Sequence, residues 1–326
     1  MLKFAIISFL QLKKNMKKII SIVTPTYNEE LNIKKLVKEI GDIMISLKPK
    51  YDYEHIIIDN NSKDNTQKVL KEIAKTNNKI KVIFNNRNFG QIRSAFYGII
   101  QASGDSVIFM NSDFQDPVDL IPKYIKSWEK GNLITMGQKI STNESIIMKN
   151  IRNVYHKILN NISKVNMPLY TTGSGIYDKK VIEFFKSVKD PYPYIRGLAA
   201  EMEEDIKLIQ FKQPKRLYGK STNNFFTLYD IAMLAITKHS TFPLRIMIFL
   251  GFIFSLISFF IATIYFIYKI IYWDSFDIGI GPIIIGMFGF FSITIMLIGL
   301  IGEYILLILS FSQNLPLVIE KERINF

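Results

Sequence analysis

Asn111, Asp113, Gln115 and Asp116 are crowded between a short apolar run, Val107-Ile108-Phe109-Met110, and Pro117. The run reads as a buried strand, and the proline forces a turn before a helix. In an open α/β sheet, ligands sit just beyond the carboxyl ends of the strands. A carboxylate and an amide oxygen at alternate positions there can both reach one hard divalent cation. An enzyme handling a nucleotide diphosphate needs such a cation. The same residues would also make a solvated turn with an aspartate as helix N-cap. The choice depends on what the neighbouring elements bring to the same place.

The elements before this turn repeat one pattern. Ile19 to Thr24 is a β-rich run ending at Pro25-Thr26-Tyr27-Asn28-Glu29-Glu30. A helix follows from about Leu31 to Leu47, with Leu31, Leu36, Val37 and Ile40 on one stripe. A second strand, His55 to Ile58, ends at Asp59-Asn60-Asn61-Ser62, and Asp64 with Gln67 resembles a capping box for the next helix. Ile80 to Phe84 is a third strand, ending at Asn85-Asn86-Arg87-Asn88-Phe89-Gly90. The helix over about Gln91 to Ala102 carries Ala95, Gly98 and Ala102, which suit close packing on a sheet. Alternating strands and helices with short connections imply a mostly parallel sheet. Each polar cluster then falls at the carboxyl end of its strand, and the clusters converge on one edge. That convergence favours the cation reading over the plain turn.

Composition narrows the chemistry. The 326 residues include no cysteine, which excludes disulfides and thiolate metal sites. His55, His156 and His239 are far apart, which argues against zinc. No dinucleotide-binding Gly-x-Gly-x-x-Gly follows the first strand, and no phosphate-binding Gly-x-x-x-x-Gly-Lys-Ser/Thr occurs. Any phosphates must be met by metal and basic side chains. The formal charge of +13 suits an anionic partner, and with apolar runs in the last third a membrane surface is favoured.

Asn223 to Lys238 carries Phe225, Phe226, Leu228, Tyr229, Ala232, Met233 and Ile236 on one apolar face, as an interfacial amphipathic helix or a core-packed one would. Ile246 to Tyr268, about 23 residues without a charge, is long enough to span a bilayer. Lys269 to Asp277 is a turn with Tyr272 and Trp273, and Ile278 to Ile301 reads as a second span. Lys238, Arg245, Lys321 and Arg323 flank the pair, with Lys269 between, so the positive-inside bias puts both termini in the cytoplasm.

The motifs, in their order and spacing, resemble family 2 glycosyltransferases over roughly residues 19 to 320. They are Pro25-Thr26-Tyr27-Asn28-Glu29, Asp59 to Thr66, Asn88-Phe89-Gly90 and Ser112-Asp113-Phe114-Gln115-Asp116-Pro117. Later segments resemble the dolichol-phosphate-mannose-synthase-like branch, which includes bacterial polyprenyl-phosphate glycosyltransferases. These are Thr172-Gly173-Ser174-Gly175, Pro191 to Gly197, Lys215 to Ser221 and Gly302-Glu303-Tyr304. The resemblance implies that Pro25, Tyr27 and Glu29 line a nucleoside pocket, with Asp59 accepting from the base or ribose and Asn111 beside them. It implies that Asp113 and Gln115 ligate Mg²⁺ or Mn²⁺ on the diphosphate. Arg152, in the region of the family's acceptor loop, together with Arg196, Arg216 and Lys220, is a candidate for meeting an acceptor phosphate. Two departures stand out. The family's Asp-x-Asp is Asn111-Ser112-Asp113 here, with one carboxylate replaced by an amide. Gly173 and Gly175 stand where many relatives carry Asp and Arg.

The expectation is therefore an α/β, GT-A-like nucleotide-binding domain over 19–222, after an N-terminal extension, 1–18, whose start site is open to reassignment. An interfacial helix over 223–241, a two-span hairpin over 242–311 and a cytoplasmic tail over 312–326 should follow. The implied activity is inverting, metal-dependent transfer of a sugar from a UDP- or GDP-linked donor to a polyprenyl phosphate at the cytoplasmic face of a membrane. The alternatives are transfer to a hydroxyl of a lipid-linked glycan, and an inactive membrane-anchored relative that binds a partner. No nucleic-acid partner is expected, and homo-oligomerisation is left open.

Overall fold

A computed structural model describes residues 17–141, 167–202, 205–214, 216–218, 225–240, 242–272 and 280–326, with single residues Asn150, Asn161, Ser163 and Val165. Residues 1–16 of the N-terminal extension, Arg152, Lys220, and Trp273 of the expected interfacial turn lie outside the described residues, and Lys18 already belongs to the first strand. The chain divides into two units: one of Met1–His156, Val165–Asn224 and Leu315–Phe326, the other of Lys157–Lys164 and Phe225–Asn314.

The first unit is built on an eight-stranded sheet of order β7-β5-β6-β4-β1-β2-β3-β8. Strand β1 (Lys18–Thr26) lies at its centre, parallel to β2 (Tyr51–Asp59) and β4 (Ser106–Phe109), and β2 is parallel to β3 (Ile80–Asn85). Strand β5 (Ile134–Ser141) is parallel to β7 (Lys207–Lys212). Strand β6 (Thr171–Asp178) runs antiparallel between β4 and β5. The expected α/β, mostly parallel sheet is what forms.

The strands are apolar on both faces because helices cover both. Ile20, Ile22, Ile57 and Val82 pack against α1 (Ile33–Ser46), α2 (Thr66–Thr76) and α4 (Leu120–Glu129) through Leu36, Ile40, Leu70 and Tyr124. Val23, Ile56, Ile58 and Phe109 pack against α3 (Gly90–Ile100), α5 (Lys179–Ser187) and α6 (Ile195–Met202) through Phe96, Ile99, Phe185 and Leu198. The expected reason for the small residues of α3 holds at Gly98, where a Cβ would meet Val23 Cγ1 at 2.9 Å. Leu31, expected on the α1 stripe, instead precedes the helix and is exposed, so the stripe begins at Ile33.

The segment expected as a tail, 312–326, supplies strand β8 (Glu320–Ile324), antiparallel to β3. Its pairing covers a sheet edge that would otherwise present unpaired backbone groups. Side chains fasten it further. Arg93 Nε and Nη2 donate to the carbonyls of Leu317 and Pro316 at 2.8 and 2.7 Å, Tyr97 Oη donates to Glu320 at 2.8 Å, and Asn325 Nδ2 donates to the Ala74 and Ile80 carbonyls.

The second unit contains α7 (Phe225–His239), α8 (Phe242–Ile271) and α9 (Ile280–Ser312). Tyr304 Oη donates to the Ser240 carbonyl at 3.2 Å, and Lys238 lies over the Phe311 ring. Of the described residues, one helical stretch is long and apolar enough to cross a membrane, Ile293–Ser312, and Phe242–Phe254 is a shorter apolar stretch. The longer stretch overlaps the second expected span, Ile278 to Ile301, and the shorter one overlaps the first, Ile246 to Tyr268.

Candidate active site

The polar clusters do meet at the carboxyl edge of the parallel strands, and specific hydrogen bonds join the loops after β1, β2 and β3. After β1 the chain turns at Asn28, whose positive φ of 57° suits asparagine. The Asn28 N–H donates to Ser62 Oγ at 2.8 Å, and Asn28 Oδ1 accepts the Lys63 N–H at 2.7 Å. The Glu29 N–H donates to Thr66 Oγ1. The loop after β2 joins the loop after β3 through Asn60, whose Oδ1 accepts the Phe89 N–H and Asn85 Nδ2, and whose Nδ2 donates to Asn88.

Asp59 ends β2 and is fully buried. It accepts from the Ser62 N–H, Ser62 Oγ and Gln67 Nε2, the last at 2.9 Å. Burial raises its pKa, and these donors partly oppose the shift. The expected capping box does not form, because Gln67 is drawn to Asp59 and the Ser62 carbonyl, and the Thr66 N–H takes Asp64 instead. Gln67 is thus a site residue that sequence reasoning assigned to the wrong task. Pro25 and Tyr27 are half-buried on the same edge. Glu29 is buried, accepts from Asn32 Nδ2 at 2.6 Å, and has its pKa raised chiefly by burial, with Asn32 and the nearby charge of Arg216 opposing.

The turn after β4 is held in a demanding conformation. Phe114, between Asp113 and Gln115, has φ +60°, a left-handed value that costs a bulky L-residue roughly 1–2 kcal/mol. The ring is nevertheless buried, with Lys35 Nζ 5.4 Å from its centroid. This twist lets Asp113 Oδ1 accept the Gln115 N–H at 3.1 Å. Asp113 Oδ2 accepts from Arg216 Nη2 at 2.8 Å. Asn111 Nδ2 and its backbone N–H both donate to Asp116 Oδ2. Asp116 is buried, and its pKa is raised by that burial.

Asp113, Gln115, Asn111, Arg216 and Glu29 therefore belong to one neighbourhood. Arg196 is engaged with the Thr171 carbonyl at 2.8 Å and with the Tyr194 hydroxyl and ring. It packs beside Gly173, whose φ of +85° favours glycine. Gly175 has a different cause: a Cβ there would lie 2.1 Å from the Thr135 carbonyl oxygen, so the antiparallel approach of β6 to β5 demands glycine.

Among the described residues no three His, Cys, Asp or Glu side chains gather into a self-sufficient metal site. With the Asp116 carboxylate turned to Asn111, the donors left at the turn are the carboxylate of Asp113 and the amide side chains of Asn111 and Gln115. That set fits a cation of the Mg²⁺ type, which keeps waters and substrate phosphate oxygens and takes only one or two protein carboxylates. It does not fit a cage closed by protein ligands alone.

Residues 21–185 match the family model described as Glycosyl transferase family 2, and the chain belongs to that family. It is a glycosyltransferase. Over 300 residues it is 27% identical to the uncharacterized glycosyltransferase YkcC of Bacillus subtilis (strain 168), covering 92% of each chain. Over 303 residues it is 26% identical to the bactoprenol glucosyl transferase of Shigella phage SfV, covering 93% of this chain and 98% of that one. A likeness is also found to glucosyl-3-phosphoglycerate synthase of Mycobacterium tuberculosis, crystallised with Mn²⁺, UDP and phosphoglyceric acid. The TM-score is 0.47 and the identity 19%, with 68% of this chain and 76% of that chain covered.

Proposed function

We propose that this glycosyltransferase moves a sugar from a nucleotide-sugar donor to a polyprenyl phosphate at the cytoplasmic face of a membrane, with a divalent cation and with inversion at the anomeric carbon. The observation that carries the reading is its likeness to the phage bactoprenol glucosyl transferase along nearly the full length of both chains. On this reading Pro25, Tyr27, Glu29 and Asp59 line the nucleoside pocket, with Asn111 beside them. Asp113 and Gln115 would hold Mg²⁺ or Mn²⁺ on the diphosphate. When bound, the cation would stabilise charge on the departing nucleoside diphosphate.

A phosphate oxygen of the acceptor attacks the anomeric carbon from the face opposite the leaving group. The bond from that carbon to the diphosphate oxygen breaks, and the nucleoside diphosphate leaves with the electron pair. A phosphate monoester, with its second pKa at about 6, is already mostly dianionic at neutral pH. It needs no carboxylate base, so Gly173 is no handicap. It does need cationic positioning, for which Arg196, Arg216, Arg152 and Lys220 are assigned.

Chain connectivity supports membrane anchoring through a pair of helices. Strand β8 belongs to the same sheet as β1, so the chain between Asn224 and Leu315 leaves that unit and returns to it. If α9 crosses a bilayer, the number of crossings is even, and α8 supplies the partner. Ile248, Phe249, Phe252, Ile295 and Ile308 are each more than 60% exposed, a large apolar surface to leave in water. The test is a screen of nucleotide sugars with membranes and undecaprenyl phosphate, following which nucleotide is released. Release that depends on the lipid supports the proposal, and release at the same rate without it counts against it.

A further inference from the structure

Asp116 lies three residues beyond Asp113 and is more deeply buried, at 2% exposure against 7%. Its Oδ2 accepts two hydrogen bonds from one residue, from the Asn111 N–H at 3.3 Å and from Asn111 Nδ2 at 2.8 Å. The amide atom facing that oxygen is the NH₂ donor. The other amide atom of Asn111, Oδ1, makes no hydrogen bond among the described residues, and the side chain is half-buried. Among the described residues Asp116 Oδ1 is buried without a partner, so there the hydrogen bonding of this carboxylate goes to Asn111.

We infer that Asp116 is a positioning residue, holding the Asn111 amide so that its Oδ1, a neutral oxygen, is presented to the donor site. The inference rests on the reading of that site as one for a cation and a nucleoside diphosphate. Without Asp116 the amide can rotate by half a turn, placing its NH₂ where an oxygen is needed. An aspartate at 111 would instead set two carboxylates at hydrogen-bond distance, which disfavours ionisation of both. Asn111 and Asp116 are therefore complementary: position 116 must keep an oxygen acceptor, and position 111 an amide.

The test uses full-length protein in lipid nanodiscs and four forms: wild type, Asp116→Ala, Asp116→Asn and Asn111→Asp. Mn²⁺ affinity is measured by electron paramagnetic resonance, alone and with UDP or GDP, and nucleotide affinity is measured separately in chelator. An asparagine at 116 keeps one oxygen that can accept both hydrogen bonds from Asn111. Asp116→Asn is therefore expected to stay within about threefold of wild-type Mn²⁺ affinity, Asp116→Ala to weaken it about tenfold, and Asn111→Asp to give no tightening despite its added charge. If folded Asp116→Ala keeps Mn²⁺ affinity within twofold, or Asp116→Asn loses as much as Asp116→Ala, the inference is overturned. Wild-type protein that binds nucleotide equally well with and without Mn²⁺ would instead refute the cation reading. In that case the same comparison of Asp116→Asn with Asp116→Ala, read on nucleotide affinity in chelator, decides whether Asp116 positions Asn111.

Discussion

Arg216 Nη2 lies 2.8 Å from Asp113 Oδ2, and both side chains are largely buried, at 24% and 10% exposure. The two residues have different proposed partners: Asp113 a cation on the donor, Arg216 the acceptor phosphate. In the ligand-free chain they satisfy each other. On the proposed reading, a cation arriving with the nucleotide would compete with Arg216 for the same carboxylate, and Arg216 would then be free to meet the lipid phosphate. The donor should therefore bind before the acceptor, and initial-rate kinetics should show an ordered pattern with nucleotide sugar first.

Arg216→Ala separates these roles. It removes a competing positive charge from Asp113, so the cation concentration for half-maximal nucleotide binding should fall. The acceptor KM should rise at least about tenfold, equivalent to 1.4 kcal/mol, with little change in the donor KM. Weaker cation binding together with an unchanged acceptor KM would show that Arg216 only supports Asp113.

Asp113→Asn removes the carboxylate assigned to the cation and leaves Arg216 opposite an amide. Transfer should fall by at least about a thousandfold, equal to roughly 4 kcal/mol on the barrier. Activity within about threefold of wild type would sink the assignment of Asp113 to the cation.

Much of this site was legible in the sequence because parallel α/β architecture ties polar clusters to strand ends. Asp59, Glu29 and Asp113 each follow an apolar run, and the runs pair as neighbours. Other features left no local signal. Gln67 sits three residues after Asp64, as in a capping box, and only the fold shows that Asp59 competes for it. The pairing of Asn111 with Asp116 spans a turn whose shape depends on a left-handed Phe114. Strand β8 follows two long apolar helices, and Glu320-Lys321-Glu322-Arg323-Ile324 reads as a charged tail. Its place is set by backbone pairing with β3, which composition does not encode.

That strand changes how the first unit should be cut. A fragment ending at Lys238 exposes the β3 edge, leaves the Arg93 guanidinium without its two carbonyl partners, and should aggregate or melt well below the full chain. Joining residues 17–224 to 315–326 through a flexible Gly/Ser linker should restore a monomeric domain that binds nucleotide. Equal melting temperatures for the two fragments would contradict the role given to β8.

Buried His55 gives the fold a defined acid sensitivity. Its Nε2 lies 3.0 Å from Thr24 Oγ1, its Nδ1 has no partner among the described residues, and burial lowers its pKa from 6.5 to about 3. Above about pH 6.5 the imidazole is neutral in both folded and unfolded chains, and its contribution is fully present. Between pH 6.5 and about 3 the unfolded chain takes up a proton that the folded chain refuses, so stability falls as pH falls. His55→Leu should flatten the loss of melting temperature between pH 6.5 and 4.5. Parallel curves for the two proteins would contradict this account.

The most direct measurement is the chemical identity of the product. Purified full-length protein in nanodiscs, given its donor, a divalent cation and undecaprenyl phosphate, should yield a lipid in which the sugar is joined through its anomeric carbon to the phosphate. Mass spectrometry and NMR should show a glycosyl phosphodiester of inverted configuration, with one nucleoside diphosphate released per lipid glycosylated. A product carrying the sugar on a glycan hydroxyl, or retention of the donor's anomeric configuration, would contradict the account.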